Sequence, residues 1–298
     1  MIRNDFCAFI LTHGRPNNVI TYSTIRKAGY TGKIYIVIDN EDKTEAEYRA
    51  RYGDEVLQFD KAAVAAANDE GDNFNDRRSV FYARNACWDL ARKVGCRYFI
   101  QLDDDYRDFG MRNDVNLDGA YIPIRRTMDD VFTAMLDYYL SIPVLTIAFS
   151  QGGDHMGPQV LSRPTLRRKA MNSFICSLDR PFKFIGRVNE DVNTYTTLSR
   201  RGHIFFTVVQ VQLDQIQTQA NPGGMTDLYN NIGTYLKSFY SVMYCPSSVQ
   251  IGVLHDSRST HSRIHHKINW HRTAPKIIRE EHRKSKVRPP WIKDTENA

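Results

Sequence analysis

Three consecutive aspartates, Asp103, Asp104 and Asp105, directly follow the apolar run 98–102. Carboxylates at the end of a buried strand can hold a hard cation such as Mg²⁺ or Mn²⁺, which takes oxygen ligands and shares them with substrate phosphates. A cation there would act as a Lewis acid on a diphosphate leaving group. The alternative is an acidic turn that only caps the strand. Because adjacent carboxylates repel one another unless a cation or hydrogen-bond donors offset them, the triplet favours a metal site.

A second acidic pair, Glu190-Asp191, lies just before a helical pattern that includes Tyr195 and Leu198. Acidic residues in a first helical turn are stabilised by the helix dipole, so a capping role is one interpretation. The other is catalytic, because a carboxylate within hydrogen-bond reach of an acceptor hydroxyl can remove its proton.

Repeated strand and helix patterns must position these residues. The predicted strands are 6–11, 33–38, 56–59 and 98–102, and the predicted helices are 17–27, 44–52 and 80–94. This alternation predicts an α/β fold with a Rossmann-like, mostly parallel open sheet flanked by helices. Ligands bind at the carboxyl ends of such strands, where Thr12–Arg15, Asp39–Asp42 and Asp103–Asp105 fall.

The second part of the chain is less regular. It holds predicted helices at 127–140 and 227–243, predicted strands at 144–149, 204–211 and 249–254, and a loop at 218–225 that could close over a ligand. We predict one catalytic domain over 1–254, followed by a basic, helical segment over 255–298 that completes the donor site and contacts the acceptor.

The amino-acid composition limits the classes of protein to which the chain can belong. The 298 residues are 42% hydrophobic and 25% charged, which are ordinary globular values. The five cysteines are scattered and form no C-x-x-C pair, which argues against a disulfide framework and a zinc cluster. No apolar stretch approaches the ~18 residues of a membrane span, and the first residues lack a signal-peptide pattern. We therefore expect a cytoplasmic protein.

The net charge of +6 is concentrated at one end of the chain. Residues 1–254 carry 29 basic and 29 acidic side chains, whereas residues 255–298 carry 11 basic and 5 acidic ones and six of the nine histidines. A basic segment of this kind favours an anionic partner such as nucleic acid or phosphate groups. The alternative is a solvated tail.

The order of these motifs resembles the GT-A class of nucleotide-sugar glycosyltransferases over residues 6 to about 201. The resemblance consists of the motifs Thr12-His13-Gly14-Arg15-Pro16, Asp39, Arg84-Asn85, the D-x-D pattern of Asp103 and Asp105, and Glu190-Asp191. It implies a nucleotide-sugar donor, a UDP-sugar by preference, with Mn²⁺ or Mg²⁺ as the cation.

The resemblance also implies individual roles. Thr12 and Arg15 would line the nucleotide pocket, Asp39 would meet the base or ribose, and Arg84 would approach the diphosphate or the sugar. Asp103 or Asp104 would touch ribose or sugar hydroxyls. Asp105 would be the principal metal ligand, with Asp103 as a further candidate. Asp191 is the first choice for the general base and Glu190 the second. For each residue other than the aspartates, a surface or capping role is the alternative.

Many GT-A enzymes draw a further metal ligand, usually a histidine, from late in the chain. His261, followed six residues later by Lys267, is similar to a metal-binding histidine and a diphosphate-binding lysine, although the flanking residues depart from that pattern. His255, at the end of the last predicted strand, is an equal candidate for the metal.

Three short segments are similar to a bacteriophage subgroup, the TET/JBP-associated glycosyltransferases, whose acceptor is a hydroxymethylated pyrimidine in DNA. They are 9–16, 29–33 and 266–270. In that case the protein would act in the host cytoplasm. Basic residues at 125–126, 163–169 and in the C-terminal segment could follow a phosphate backbone, and Trp270 and Trp291 could stack on a base or sugar.

Three hypotheses follow. The first is a metal-assisted DNA-base glycosyltransferase, and the second is a GT-A glycosyltransferase with a glycan or protein acceptor. The third is a nucleic-acid-binding protein without catalysis, in which the aspartates are structural.

Overall fold

A computed structural model describes residues 2–72, 76–113, 120–155, 165–216, 225–255 and 262–283. Its main feature is a nine-stranded sheet in the order β3-β2-β1-β4-β8-β7-β9-β5-β6. The strands are β1 Phe6–Leu11, β2 Lys33–Asp39, β3 Val56–Phe59, β4 Tyr98–Asp103, β5 Tyr106–Asn113, β6 Ala120–Pro123, β7 Thr146–Gln151, β8 Ser173–Ser177 and β9 Phe205–Gln215.

The sheet is mixed, and seven of its nine strands run in one direction, the exceptions being β8 and β5. The four strands predicted in the first third of the chain form its parallel part, β3-β2-β1-β4. The prediction of an α/β fold with a mostly parallel open sheet is therefore confirmed.

Helices cover the sheet. They are α1 Ile20–Lys27, α2 Glu45–Tyr52, α3 Lys61–Ala66, α4 Phe81–Lys93, α5 Met128–Ser141, α6 Glu190–Arg200 and α7 Met225–Tyr244. Alternate side chains of β1 enter two different apolar clusters, with Phe6, Ala8 and Ile10 in one and Cys7, Phe9 and Leu11 in the other. A strand covered on both faces needs apolar residues at every position, which explains its uninterrupted apolar run.

The link between β4 and β5 shows that the sheet is strongly curved. Three strands, β8, β7 and β9, lie between them, so a flat sheet would hold them about 19 Å apart at about 4.8 Å per strand. The chain from Asp103 to Tyr106 spans at most about 11 Å, because consecutive Cα atoms are about 3.8 Å apart. The sheet must therefore bend until the end of β4 meets the start of β5, which places the aspartates at this junction.

After α7 the chain forms an antiparallel hairpin of β10 Val249–His255 and β11 Ser262–Ile268. Two short helices follow, α8 Trp270–Thr273 and α9 Glu280–Arg283. The prediction of a helical C-terminal segment is thus wrong for residues 262–268, which are extended because they pair with β10. The predicted domain boundary between residues 254 and 255 lies inside this hairpin.

Other sequence predictions can be compared directly with the positions of the observed elements. The predicted helix 227–243 is found as part of α7, whereas β5, β6 and β8 were not predicted. Residues 218–224 of the predicted loop lie outside the described residues. All five cysteines are free and buried. Within the described part of the chain, no helix is long and apolar enough to cross a membrane.

Candidate active site

The turn that carries the three aspartates is held from two sides. From α1, the Thr21 hydroxyl donates to the carbonyl of Asp103 at 2.6 Å and accepts from the amide of Tyr106 at 2.9 Å. From the end of β9, the amide of Ile216 donates to the carbonyl of Asp105 at 3.2 Å. The backbone of the turn is thus fixed before any ligand arrives.

The three carboxylates have different surroundings. Asp104 is only 3% exposed, and its carboxylate accepts from Thr12 at 2.6 Å and pairs with Arg15 at 3.3 Å. Asp103 and Asp105 are partly exposed. Asp105 accepts from the Gln215 amide at 3.0 Å, a neutral partner. The two outer aspartates of the D-x-D pattern therefore remain accessible, whereas Asp104 is enclosed and supports the turn through Thr12 and Arg15.

A chain of hydrogen bonds connects the loop after β1 to this support. The Arg15 amide donates to the Tyr48 hydroxyl at 2.8 Å. The Tyr48 and Thr12 hydroxyls lie 2.9 Å apart, and since the Thr12 proton is directed at Asp104, Tyr48 donates to Thr12. Because Thr12 is buried, it can affect the predicted nucleotide pocket only by shaping the loop. The Arg15 guanidinium, 26% exposed, remains accessible.

Asp39 lies beneath His13 at the end of β2. The His13 Nδ1 donates to Asp39 at 2.8 Å, and the Lys61 ammonium lies 3.3 Å from the same oxygen. Burial opposes ionisation, but the bond from His13 and the charge of Lys61 lower the pKa of Asp39. With Asp39 only 5% exposed, His13 is the residue that reaches the surface, since its side chain is 44% exposed.

Beside this loop lies a shallow, open pocket of about 370 Å³. It is lined by Gly14, Arg15, Pro16, Asn17, Asn18, Thr44 and Glu47. Because it opens next to the carboxyl ends of β1 and β2, it occupies the edge at which α/β sheets bind ligands.

Arg84 joins the two acidic motifs. It projects from α4, is 1% exposed, and packs over the rings of Phe174 and Phe184. Its guanidinium donates to Asp103 at 2.8 Å and to Glu190 at 2.9 Å. Burial opposes the charge, but these two carboxylates raise the pKa of Arg84, which stays a cation. The predicted approach of Arg84 to the donor stays a prediction; in the structure the residue is enclosed and binds protein carboxylates.

We expect Arg84→Met to lower the free energy of unfolding by about 3–5 kcal/mol, because it leaves the buried Glu190 and the partly exposed Asp103 without their cation. Urea unfolding measured by circular dichroism would show this. Arg92→Met on the same helix is the matched control: its guanidinium is 54% exposed, so the change should stay within about 1 kcal/mol. Equal effects of the two substitutions would contradict the role assigned to Arg84.

Glu190 and Asp191 begin α6 but differ in accessibility. Glu190 is buried and bound to Arg84, whereas Asp191 is partly exposed. Burial, and then the negative charge of Glu190, raise the pKa of Asp191 to about 6. A carboxylate with a pKa in that range is a better proton acceptor at neutral pH than an ordinary aspartate. Of the two predicted candidates, the geometry favours Asp191.

The C-terminal candidates lie apart from this cluster or outside the described residues. Lys267 is exposed on β11, and no described contact joins it to the aspartates. His255 ends β10, but its side chain is outside the described residues, as are His261, Arg163 and Trp291.

Two of the predicted acceptor contacts already have protein partners. Trp270 stacks on Tyr195 with ring centroids 5.8 Å apart, which occupies one of its faces. Arg125 pairs with Asp108 at 2.7 Å.

A family model described as TET-Associated Glycosyltransferase matches residues 6–224. The chain belongs to this family. The predictions of an enzyme and of a glycosyltransferase related to the TET/JBP-associated subgroup are thereby confirmed. No curated protein sequence matches the chain significantly.

Among solved structures, the chain is similar to glucosyl-3-phosphoglycerate synthase from Mycobacterium tuberculosis in complex with Mn²⁺, UDP and phosphoglyceric acid. The identity is 12%, the TM-score 0.43, and the match covers 88% of this chain and 86% of the other. A second match is TarS of S. aureus, at 10% identity, a TM-score of 0.41, and coverage of 78% and 39%. Likenesses this weak carry no argument about function, so the family assignment depends on the sequence match.

In this TET-associated glycosyltransferase, the sequence predictions missed Gln215, Tyr48 and Thr21. The strand extension that leads to Gln215 was detectable, because the alternation of apolar and polar residues in 209–214 continues past the predicted strand end at residue 211. Tyr48 and Thr21 gave no signal, since both lie in ordinary helical patterns and act through partners that are distant in sequence.

Proposed function

We propose that this glycosyltransferase moves a sugar from a nucleotide-sugar donor, preferably a UDP-sugar, to the hydroxymethyl group of a modified pyrimidine in phage DNA, with Mn²⁺ or Mg²⁺ at the aspartate turn. The observation that carries the proposal is that the buried Arg84 binds both Asp103 of the aspartate turn and Glu190, whose neighbour Asp191 is a partly exposed carboxylate. The family description, TET-associated, supports the DNA-base acceptor.

The residues at the turn fit a divalent cation. Arg15 pairs with Asp104, and Arg84 pairs with both Asp103 and Glu190, so in these three ion pairs the carboxylates exceed the cations. Burial, and then the neighbouring aspartates, raise the pKa of Asp105 to about 7, and burial raises that of Asp103 to about 6. Asp103 and Asp105 would hold the cation, which when bound would neutralise charge on the diphosphate leaving group.

The donor side is formed by Arg15 and His13. Both project from the loop after β1, and both are partly accessible, whereas their partners Asp104 and Asp39 are buried. Arg15 can bind phosphate oxygens while Asp104 orients it. The pocket beside this loop would accommodate part of the nucleotide.

The acceptor side is formed by Asp191. Its carboxylate would take the proton of the acceptor hydroxyl while that oxygen forms a bond to the anomeric carbon. The bond from the anomeric carbon to the diphosphate oxygen then breaks, and the nucleoside diphosphate leaves. Glu190 keeps the neighbouring position negative and is held away from the acceptor by Arg84.

The basic C-terminal segment supports a polyanionic acceptor, because it contains the whole excess of positive charge. A base inside a duplex must be turned out of the stack before it can reach Asp191, which costs a few kcal/mol. We therefore expect single-stranded or mismatched acceptors to react faster than fully paired ones.

The direct test incubates the protein with hydroxymethylcytosine DNA, a panel of UDP-sugars and Mn²⁺, followed by digestion and mass analysis of the nucleosides. A nucleoside heavier by one sugar residue supports the proposal, and DNA with unmodified cytosine is the control. Donor hydrolysis without modified nucleoside would favour a glycan or protein acceptor instead. Absence of both donor binding and turnover, with and without metal, would contradict the proposal as a whole.

Binding of Mn²⁺ should depend on pH with a definite sign. Because the pKa of Asp105 is raised to about 7, its carboxylate is populated above that pH and protonated below it. Protons then compete with the cation, so the affinity for Mn²⁺ should fall roughly tenfold per pH unit below about pH 7. Titration of free Mn²⁺ by electron paramagnetic resonance measures this, and a constant affinity between about pH 8 and about pH 6 would refute it.

A further inference from the structure

Three potential metal ligands converge at the edge of the sheet opposite the aspartate turn. His203 lies just before β9, and Glu281 and His282 lie on α9. The Nδ1 of His203 is 3.0 Å from the Nε2 of His282 and 3.6 Å from the Oε1 of Glu281. The Nε2 of His282 is 3.9 Å from the same carboxylate oxygen. Since β9 begins here and ends at Gln215 beside Asp105, this cluster is separate from the proposed donor site.

We propose that His203, His282 and Glu281 bind a divalent metal ion, with a solvent molecule as the fourth ligand. Of the common cations, Zn²⁺ fits these ligands best. Two imidazoles and one carboxylate form a ligand set that is typical of Zn²⁺, whereas Mg²⁺ and Ca²⁺ prefer oxygen ligands. With bonds of about 2.0–2.2 Å, tetrahedral ligand atoms lie roughly 3.3–3.6 Å apart. The three observed separations bracket that range, so a shift of a few tenths of an ångström would complete the geometry.

A neighbouring side chain orients the carboxylate of this cluster. Arg279 donates to Glu281 at 3.0 Å, which fixes the carboxylate beside the two rings. Outer partners of this kind orient a ligand toward its metal.

The backbone brings the two halves of the cluster together. The amide of Arg279 donates to the carbonyl of Gly202 at 3.1 Å. Gly202 has a φ of +91°, and a Cβ there would lie 2.6 Å from the carbonyl oxygen of Ile277. Only glycine permits this approach. The metal would therefore fasten the basic C-terminal segment to the start of β9.

The test uses the untagged full chain carrying Asp105→Asn, so that the aspartate turn does not contribute, after removal of metal with a chelator. Co²⁺ is added as a spectroscopic probe, and Zn²⁺ is then added to displace it. We expect one equivalent of Co²⁺ with the visible absorption of four-coordinate cobalt, and its loss on addition of Zn²⁺. We also expect Zn²⁺ to slow proteolytic cleavage of the C-terminal segment.

Loss of a direct ligand should weaken binding by more than the 10- to 100-fold that follows loss of an outer partner. His203→Gln and His282→Gln should both show this, whereas His271→Gln, an exposed histidine of the same segment, should bind like the parent. Circular dichroism checks folding, and Glu281→Gln, with its side chain 52% exposed, tests the site without disturbing the interior. Absence of bound Co²⁺ in the parent, or unchanged binding in all three ligand variants, would overturn the proposal and leave a hydrogen bond between two histidines.

Discussion

Replacing Asp105 by asparagine is expected to lower kcat at least ~10³-fold, which corresponds to about 4 kcal/mol of lost transition-state stabilisation. The protein should nevertheless remain folded. The folded state raises the pKa of Asp105 to about 7, so above its ordinary pKa the carboxylate costs stability when no cation is bound. Asparagine removes that cost. The metal-free variant should therefore unfold at the same temperature as the parent or higher.

Thermal unfolding with and without Mn²⁺ separates the two effects. Mn²⁺ should raise the Tm of the parent and leave that of Asp105→Asn unchanged. Asp104→Asn is the matched control within the same turn: Asp104 is enclosed by Thr12 and Arg15 and is not assigned to the metal, so Mn²⁺ should still raise the Tm of this variant. Full activity of Asp105→Asn would remove the metal assignment, and a Mn²⁺ response that depends on Asp104 would transfer it.

Asp191→Asn is expected to lower kcat by about 10²- to 10⁴-fold, the usual contribution of a general base, with the KM for the donor unchanged. The pKa of Asp191 is raised to about 6, so the base form is populated above that pH and lost below it. The parent should lose activity as the pH falls through about 6, whereas the residual activity of the variant should lack this step. Rates of sugar transfer measured across this pH range test both expectations.

Glu190→Gln tests whether the neighbouring carboxylate has a structural or a catalytic role. It removes a buried partner of Arg84, so its main effect should be on the free energy of unfolding, by about 3 kcal/mol or more. Loss of transfer in Glu190→Gln together with normal transfer in Asp191→Asn would assign the base to Glu190 instead.

The sequence was most informative about those strands and helices whose apolar pattern is visible within the element itself. The runs in β1, β2 and β4 are apolar at almost every position, so strands buried on both faces were predictable. In contrast, β5 contains polar residues such as Arg107 and Asp108, so it showed no strand pattern. Its place in the sheet depends on partners that local patterns do not specify.

The candidate site shows the same limit. The acidic motifs and their location at strand ends were predictable, but the role of Arg84 was not. A helical pattern shows which face of α4 is apolar, yet Glu190 lies 106 positions further along the chain. Asp104 likewise looked equivalent to its neighbours in sequence, and only the packing of the Thr12 loop shows that it is enclosed.

The curvature that brings β5 back to β4 has a consequence for biosynthesis. The turn at 103–105 emerges from the ribosome early, but the residues that fix Asp105, Gln215 and Ile216, are translated about 110 residues later. Contacts between such distant segments form slowly, because a long loop must close first. A nascent chain that ends before residue 215 should therefore contain the aspartates without a competent cation site, and the enzyme should acquire its catalytic centre only after residue 216 has been translated.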